Sequence, residues 1–420
     1  MTPEIKQRID KICHGEVPEG YQRTFLGIAP KSWDKSRIDK VCRLSSGSTP
    51  RRDAVENFAG DILWVTSGEL KRRTIEDTRE KISETAVVNS HLEIYDPGTV
   101  VIAIYGLEAA GIRGTVSIIG KQCTISQACM AFTEFKGIDN EFFYYWYLNN
   151  GQVIGLRYAQ GTKQQNLSTD IVGSFPICFP SQGEQQKIAT ILTTQDRVIE
   201  LKEKQLAGKQ RQKKYLMQQL LTGKKRLPGF YGAWSFPKAK ELFQSVSDKD
   251  HNGDLAVLSS TQDRGIVPRD EVDVDIKYDA CSLVNYKKVS KGNFVISLRS
   301  FQGGIEYSTY TGLVSPAYTV LSSRKEISDG YYKQFFKSTD YINRLNVAVY
   351  GIRDGKQISY EDFGRLRIPN PPIKEQDAIA EVLSTADHEI DLLQQDIEQE
   401  KQKKKALMQL LLTGIARVKT

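Results

Sequence analysis

A short segment near the end of the chain comes close to a catalytic motif. Residues 370–373 read Asn-Pro-Pro-Ile. The related signature of DNA amino-methyltransferases is Asn/Asp-Pro-Pro followed by Tyr or Phe, where the Asn and a backbone carbonyl hold the target amine and the ring stacks on a flipped base. Ile373 replaces that ring, and no glycine-rich strand-to-helix turn precedes the segment. We therefore interpret it as a proline-stiffened start of a helix and expect no methyl transfer by this chain.

Nucleotide hydrolysis and metal binding have equally little support. The pattern G-x-x-x-x-G-K-[ST] does not occur, and Gly351–Lys356 (GIRDGK) is one residue short and lacks the hydroxyl. The 6 cysteines contain no C-x-x-C pair, and the 4 histidines are far apart. This pattern disfavours a zinc site and favours reduced structural thiols. We expect no catalytic residues, no metal and no cofactor on this chain.

Basic and amide side chains in two separate regions could recognise DNA. Arg and Lys suit guanine, Asn and Gln suit adenine, and further basic groups contact phosphate. A net charge of +7 permits a polyanionic partner without establishing one. The candidates in the first region are Arg51, Arg52, Lys71, Arg72, Arg73, Arg113, Lys163, Gln164 and Gln165. Those in the second are Gln262, Arg264, Arg269, Arg299, Gln302, Arg353 and Lys356. For each of them a solvated surface charge is the alternative interpretation.

The two regions that carry these candidates follow one plan. In the first, strands are predicted at Asp61–Thr66, Thr99–Tyr105, Thr115–Ile119 and Ala128–Phe132, and a helix at Asn140–Leu148. Gly98-Thr-Val-Val-Ile-Ala-Ile matches Gly292-Asn-Phe-Val-Ile-Ser-Leu, and Trp33 has a counterpart in Trp234. The aromatic sets Phe142–Tyr147 and Tyr331–Phe336 correspond as well, and we expect them in the core rather than stacked on bases. The pattern predicts an internal duplication.

Each mixed region is followed by a segment that predicts a long helix. When 191 is added to each number, Pro180–Gly223 aligns without a gap on Pro371–Gly414, with 19 of 44 positions identical. A 4,3 spacing of apolar residues in both copies is typical of a coiled coil, and the simplest partner of one copy is the other. Its apolar seam comprises Ile188, Leu192, Ile199, Leu206, Leu216 and Leu220 in the first copy and Ile379, Leu383, Ile390, Leu393, Ile397, Leu407 and Leu411 in the second. Leu216, Met217, Leu407 and Met408 could close the coil or dock a partner.

These patterns predict an α+β protein in which two mixed domains, related by duplication, are joined by two long antiparallel coiled-coil helices. The expected divisions are an N-terminal helix and loop (1–20), domain 1 (21–179), a central helix (180–223), domain 2 (224–370) and a C-terminal helix (371–420). No signal peptide and no apolar run of the roughly 18 residues that span a membrane is visible, so a cytoplasmic protein is expected.

The doubled helix motif resembles the specificity subunit of type I restriction-modification enzymes. The resemblance rests on Pro…Glu-Gln…Ile-Ala…Leu…Asp…Ile, running into Lys-Lys-x-Leu-Met-Gln-x-Leu-Leu-Thr-Gly, in two copies after two mixed domains. Gly47-Ser-Thr-Pro50 and Trp64-Val-Thr-Ser-Gly-Glu69 fit it too. The family implies that each mixed domain is a target-recognition domain reading one half of a bipartite double-stranded DNA target. It also implies that two methyltransferase subunits dock on the helices and that restriction-translocase subunits join through the complex. S-adenosylmethionine, ATP and Mg²⁺ would be bound by those partners.

The predicted helix length suits that arrangement. Glu184–Thr222 would extend about 58 Å at 1.5 Å per residue, or roughly 17 base pairs of duplex. Two alternatives remain: a coiled-coil adaptor that binds only proteins, and a methyltransferase acting by itself. A split DNA specificity in the presence of a methyltransferase partner separates the first from a recognition subunit, and methyl transfer by the chain alone would reveal the second.

Overall fold

The computed structural model describes residues 2–104, 115–158, 167–272, 280–348 and 358–418. The chain divides into two compact units. Unit 1 comprises Met1–Leu201 together with Ile397–Thr420, and unit 2 comprises Lys202–Asp396. Each unit therefore contains one mixed domain and a part of each long helix. We keep the names domain 1 for residues 21–179 and domain 2 for residues 224–370.

Unit 1 begins with a helix that carries a threonine cap and continues into a strand-rich domain. Thr2 accepts a hydrogen bond from the Ile5 amide at the start of this helix. The elements before the first long helix are α1 (Pro3–Cys13), β1 (Tyr21–Thr24), β2 (Gly27–Pro30), β3 (Asp34–Arg37), α2 (Ile38–Val41), β4 (Arg43–Ser46), β5 (Ile62–Val65), β6 (Thr74–Ile75), β7 (Lys81–Ile82), α3 (Glu84–Asn89), β8 (Val100–Ala103), β9 (Val116–Ile119), β10 (Cys123–Ile125), β11 (Cys129–Thr133), α4 (Asn140–Tyr158), α5 (Thr169–Gly173) and β12 (Pro176–Phe179). The main sheet has the strand order β4-β11-β8-β9-β6, and β10-β5-β7 forms a second sheet.

Strand β8 lies in the middle of the main sheet, and all four of its residues are buried. Such a strand, covered on both faces, has a continuous apolar sequence rather than an alternating one. One face packs on the aromatic residues of α4, which share a core with Val100 and Ile102. The other face, with Val101 and Ala103, packs towards the second sheet. The predicted strands are present within one or two residues, except that the predicted strand end at Tyr105 lies outside the described residues, and α4 extends ten residues beyond the predicted end at Leu148.

Domain 2, which lies in unit 2, repeats this arrangement with shorter strands. Its elements are α7 (Ala239–Leu242), β13 (Phe243–Val246), β14 (Leu258–Thr261), β15 (Gly265–Pro268), β16 (Lys287–Val289), β17 (Phe294–Ile296), α8 (Ser300–Gly303), β18 (Glu306–Tyr307), β19 (Gly312–Val314), β20 (Thr319–Ser323), α9 (Asp329–Phe335), α10 (Thr339–Ala348) and α11 (Tyr360–Arg365). The central strand β17 pairs with β18 on one side and β20 on the other. Its Phe294 and Ile296 contribute to a core that contains Tyr331–Phe336.

The two domains correspond strand by strand. The order β4-β11-β8-β9 in domain 1 matches β13-β20-β17-β18 in domain 2. At the domain edge, Phe179 pairs with Asp34 in domain 1, and Asn370 pairs with Ser235 in domain 2. In the internal repeat, Asn370 corresponds to Phe179, and Ser235 follows Trp234 as Asp34 follows Trp33. The predicted duplication of a mixed α+β domain is therefore confirmed.

The long helices are α6 (Gln182–Leu220) and α12 (Ile373–Leu411), each of 39 residues. In unit 1, Gln195 contacts Glu400, while Ile188 and Leu192, nearer the start of α6, share a core with Leu411 at the end of α12, so the helices run in opposite directions. In unit 2, contacts of Lys202 with Asp396 and of Lys209 with Glu389 show the same antiparallel order. This confirms the predicted antiparallel pairing of the two copies.

The ends of the helices belong to the domain cores. Ile188 and Leu192 lie in the core of domain 1, together with Leu411 from the other helix. In unit 2 the core of domain 2 takes up Ile379, Leu383 and Leu220 in the same way. The remaining predicted seam residues are buried or half-buried: Ile199, Leu206, Leu216, Ile390, Leu393, Ile397 and Leu407. Among the described residues, no helix is both long and apolar enough to cross a membrane.

Candidate DNA interface and its helical support

A Glu-Gln pair fixes the first turn of α6 to domain 1. The side-chain amide of Gln185 donates to the carbonyls of Pro180 (2.8 Å) and Gly137 (3.0 Å), and its oxygen accepts from the Asp139 amide at 2.7 Å. Glu184 is buried and receives two hydrogen bonds of 2.7 Å from the Arg417 guanidinium. Bidentate contacts to a buried carboxylate give a defined geometry as well as energy. The chain segment after α12 is thereby held on domain 1.

Unit 2 contains the same Glu-Gln pair and the same arginine contact, at residues 191 positions later or earlier in the chain. Glu375 is fully buried, and its Oε2 accepts two hydrogen bonds. One comes from Nη2 of Arg226 at 2.6 Å, and the other comes from Nε1 of Trp234 at 3.0 Å. The hydrogen bond to Glu375 raises the pKa of Arg226. Gln376 donates to the Pro371 carbonyl at 2.9 Å and accepts from the Ser328 amide at 2.9 Å. The segment after α6 is thus held on domain 2 as the segment after α12 is held on domain 1.

Each helix ends in a glycine that lies against a tryptophan. Gly223 has φ 71° and Gly414 has φ 70°, a left-handed conformation that favours glycine. A Cβ at Gly414 would approach Trp33 to 2.9 Å, and one at Gly223 would approach Trp234 to 3.2 Å. Close approach and backbone conformation both require glycine at these two positions. This gives a physical role to the tryptophan pair that the sequence had matched.

A second polar contact also occurs in both units. In unit 1, Asp196 pairs with Lys404 at 2.6 Å and accepts from the Tyr145 hydroxyl at 2.7 Å. In unit 2, Asp387 pairs with Lys213 and accepts from the Gln334 amide at 2.5 Å. Each aspartate thus contacts a lysine of the other long helix and a side chain of the neighbouring domain. The pairing of the helices is therefore aligned by charge as well as by apolar packing.

The predicted DNA contacts of domain 1 separate into exposed and structural side chains. Arg51 has a side chain that is 83% exposed and pairs only locally with Asp53 at 2.8 Å. Arg52 forms two hydrogen bonds with Glu80 and lies over the rings of Phe58 and Trp64, at 4.7 and 5.1 Å from their centres. Arg51 is therefore available to a ligand, whereas Arg52 supports the loop that presents it.

The neighbouring basic cluster divides in the same way. Lys71 and Arg72 are exposed. Arg73 is only 26% exposed and donates to Glu141 and, at 3.3 Å, to the Tyr145 hydroxyl. Burial by itself would lower the pKa of Arg73, but the hydrogen bond and charge of Glu141 raise it. Its contacts position α4 against the sheet and α6, which leaves Lys71 and Arg72 as the exposed members of the cluster.

In domain 2, two predicted arginines line a cavity of about 450 Å³. Arg269 donates to the Ser259 hydroxyl at 3.2 Å, and Arg299 lies exposed at the rim with Gln262. Gln302 is exposed on α8. Arg264 is turned away by a hydrogen bond of 2.9 Å to the Glu271 carbonyl. The geometry thus brings Gln262, Arg269 and Arg299 together.

The other predicted contacts lie outside the described residues: Arg113, Lys163, Gln164, Gln165, Arg353 and Lys356. The aromatic residues Phe142–Tyr147 and Tyr331–Phe336 lie in the domain cores, apart from Lys333 between them. Leu216 and Met217 pack against the core of domain 2, and Leu407 and Met408 against that of domain 1. In the part of the chain that the structure describes, no group of three or more His, Cys, Asp or Glu could hold a metal ion.

Comparison with known proteins gives the family. The sequence pattern described as the type I restriction modification DNA specificity domain matches residues 30–208 and again residues 232–402. The chain belongs to this specificity family. Each match covers one mixed domain and a large part of the helix that follows, so the family unit coincides with the internal repeat.

Curated relatives agree with this assignment. The MjaIX specificity subunit of Methanocaldococcus jannaschii is 30% identical over 189 residues, which are 44% of this chain and 43% of that protein. The MjaVIII specificity subunit of the same organism is 23% identical over 419 residues, or 93% of this chain and 94% of the relative. The stronger of these two similarities thus spans less than half of the relative's length.

Solved structures share the fold. The S subunit of a type I restriction-modification system from M. genitalium superposes with a TM-score of 0.56 at 14% identity, covering 90% of this chain and 96% of that one. A chain from a structure of type I complex assembly and conformational transition gives a TM-score of 0.57 at 16% identity, with 92% and 99% covered.

Proposed function

We propose that this chain is the non-catalytic recognition subunit of a type I restriction-modification complex, with each mixed domain reading one half of a bipartite DNA target. Methyl transfer then belongs to partner subunits that bind S-adenosylmethionine, and translocation and cleavage to subunits that bind ATP and Mg²⁺, all in the cytoplasm. The observation that carries the proposal is the duplication: two domains of one topology, held by matching contacts, present different side chains.

The exposed candidates support DNA as the ligand. Arg51, Lys71 and Arg72 in domain 1, and Arg299 and Gln302 in domain 2, are exposed. Arg and Gln can make bidentate contacts with guanine and adenine, whereas lysine acts mainly on phosphate. A protein adaptor would use the helices and leave these side chains without a function.

The helices offer a matched pair of surface residues to the methyltransferase subunits. Leu201 is 56% exposed on α6 and Leu392 is 50% exposed on α12, and the two are identical residues 191 positions apart. A repeated apolar contact suits a partner that binds in two copies. We assign the docking of one methyltransferase subunit to each leucine. Replacing both by Asp should abolish co-purification of the methyltransferase, and unchanged co-purification would contradict the assignment.

The decisive experiment is genome-wide detection of methyladenine in cells that carry the methyltransferase gene with or without this chain. We expect a split motif with an unspecified gap that occurs only when the chain is present. Methylation without sequence preference would favour a protein adaptor. Methyl transfer by the purified chain alone would show that it is an enzyme.

A change in helix length gives an independent test of the spacer role. Inserting one heptad into α6 and another at the equivalent place in α12 lengthens each by about 10.5 Å, or roughly three base pairs. We expect a wider gap between two unchanged half-sites. Altered half-site sequences would contradict a spacer role. The control is the substitution of one exposed heptad residue for another at constant length.

A further inference from the structure

The cavity in domain 2 has an acidic residue at its floor and basic residues at its mouth. Glu306 lies on β18 with its side chain only 3% exposed, and it lines the cavity together with Arg269 and Arg299. Tyr318 forms part of the wall. Burial raises the pKa of Tyr318, and the charges of Arg269 and Arg299, which line the same cavity, lower it.

The carboxylate of Glu306 is satisfied on one side only. Lys337 donates to its Oε1 and is itself held by the carbonyls of Gln262 (3.1 Å) and Gly303 (3.0 Å). Oε2 is buried and has no hydrogen-bond partner. A buried acceptor without a donor destabilises the fold, and more strongly when it is charged. A ligand that brings a donor to Oε2 would recover that energy.

The equivalent position in domain 1 needs no ligand. In the two sheets, Val101 pairs with Ser117, and Val295, its counterpart in the repeat, pairs with Glu306. Ser117 is buried, and its hydroxyl donates to the Arg72 carbonyl at 2.7 Å. Domain 2 thus carries an unsatisfied acid where domain 1 has a small, satisfied side chain. Since the fold is built without an acid at this position in domain 1, Glu306 is not required by the topology.

We propose that Glu306 is a specificity-determining residue that accepts a hydrogen bond from the exocyclic amino group of one adenine or cytosine in the half-site read by domain 2. This inference rests on the proposed function. Carboxylates accept from the amino group of cytosine in known readout, and adenine carries an amino group at the corresponding place on its Watson–Crick edge, where guanine and thymine carry keto oxygens. The cavity volume lies within the range of sites that enclose small ligands, and the two arginines at the mouth suit the flanking phosphates.

The depth of Glu306 has a geometric consequence. A base stacked in a duplex cannot reach the floor of an enclosed cavity, so the recognised nucleotide turns out of the stack and its base enters beside Tyr318. Unpairing a base is unfavourable, and it is less so when the partner base is missing. An abasic nucleotide opposite the recognised base should therefore tighten binding of the methyltransferase complex, and weaker binding at every position of this half-site would overturn the entry of a base.

The variant Glu306→Gln tests the recognised group. Lys337 keeps the amide oxygen as its acceptor, so the amide NH₂ faces the cavity and a donor replaces an acceptor. We expect the methylation motif to change at one position, from adenine or cytosine towards a keto base, with about tenfold or greater loss for the original base. The other half-site should be unchanged. Tyr341→Phe is the matched control, because it removes another buried, unpartnered polar atom from domain 2 outside the cavity, and its motif should equal that of the parent.

Base analogues make the test independent of whether the variant folds. In duplexes carrying the parent motif, each adenine or cytosine of this half-site is replaced by purine or 2-pyrimidinone, which lack the amino group. The parent complex should lose about tenfold in affinity at one position, and the Glu306→Gln complex should lose no affinity there. An unchanged motif in a folded variant, or equal parent affinity for all analogues, would overturn the inference. If the parent chain itself directs no split motif, it is the proposed function that fails.

Discussion

The contacts that hold the helices are the same in the two units, whereas the side chains that could face a ligand are different. Glu184 with Arg417 in unit 1 matches Glu375 with Arg226 in unit 2, and Asp196 with Lys404 matches Asp387 with Lys213. All eight residues are related by 191 positions. The candidate reading positions show no such match, since Ser117 corresponds to Glu306. The duplicated chain has kept its internal supports while its recognition surfaces became different.

This comparison separates two uses of the same residue type. Arginines that hold the fold are half-buried and paired with a carboxylate on another element, as Arg73 is with Glu141 and Arg226 is with Glu375. The arginines that we propose as DNA contacts, such as Arg51 and Arg299, are exposed on loops or at the rim of a cavity. We therefore propose a basic residue as a DNA contact only when its guanidinium is not paired with a carboxylate on another element.

The largest expected effect tests whether the supports are equivalent in energy as well as in position. Leu192 and Leu383 correspond to each other and are fully buried. Replacing either by Ala should lower the free energy of unfolding of its own unit by about 2–5 kcal/mol. Denaturant unfolding with a probe in each unit measures this. Similar losses of unfolding free energy in the two units would show that the two helix ends are equivalent in energy. A loss in one unit only would contradict that equivalence.

The ion pairs at the helix starts should differ in strength between the units. Both glutamates are buried, but the side chain of Arg226 is 25% exposed, whereas that of Arg417 is 40% exposed. Breaking the buried pair with Glu375→Ala should cost about 3 kcal/mol, and Glu184→Ala should cost less because water screens Arg417. Thermal unfolding of the two variants measures the difference. The reverse order would contradict the role we give to burial.

Adjacent arginines in domain 1 should separate stability from binding. Arg52→Met removes a half-exposed ion pair and two cation–π contacts and should destabilise unit 1 by about 1 kcal/mol. Arg51→Met should leave the melting temperature unchanged and weaken DNA binding by the methyltransferase complex, with the salt slope reduced by about one phosphate contact. Melting and salt-dependent binding are measured on both variants. A destabilised Arg51 variant would contradict this separation.

The smallest effect concerns the exposed charges along the helices. Lys209 pairs with Glu389 at 2.6 Å, and both side chains are at least one-third exposed. Such pairs contribute about 0–1 kcal/mol, so Lys209→Met should change the stability of unit 2 only slightly. Raising the salt concentration should reduce this small effect further. A loss comparable to that of Leu383→Ala would mean that charge, rather than apolar packing, dominates the pairing of the helices.

The elements that support the two domains could be predicted from the sequence because their residues repeat at a fixed spacing. It predicted the paired helices, the duplicated domains and the tryptophan pair. Arg226 and Arg417 were missed because the comparison of the two copies stopped at Gly223 and Gly414, three residues too early. Continued by three residues, the same offset would have found them.

The recognition residues were harder to predict because their roles depend on partners that are distant in sequence. Arg73 was grouped with Lys71 and Arg72 by adjacency, but Glu141 on another element decides its role. Glu306 gave no signal, since its interest lies in burial and in one unpaired oxygen, which only the packed domain creates.

The composition of unit 1 has a consequence for synthesis on the ribosome. Residues 202–396 form unit 2 in one continuous stretch, but unit 1 needs residues 397–418 to cover Leu192 and to neutralise Glu184. Domain 1, which is translated before domain 2, is thus completed after it. A nascent chain exposes that apolar helix face until residues 397–418 have been made, so termination before that point would yield an aggregation-prone product, and chaperone capture should be strongest for chains that stop between the two long helices.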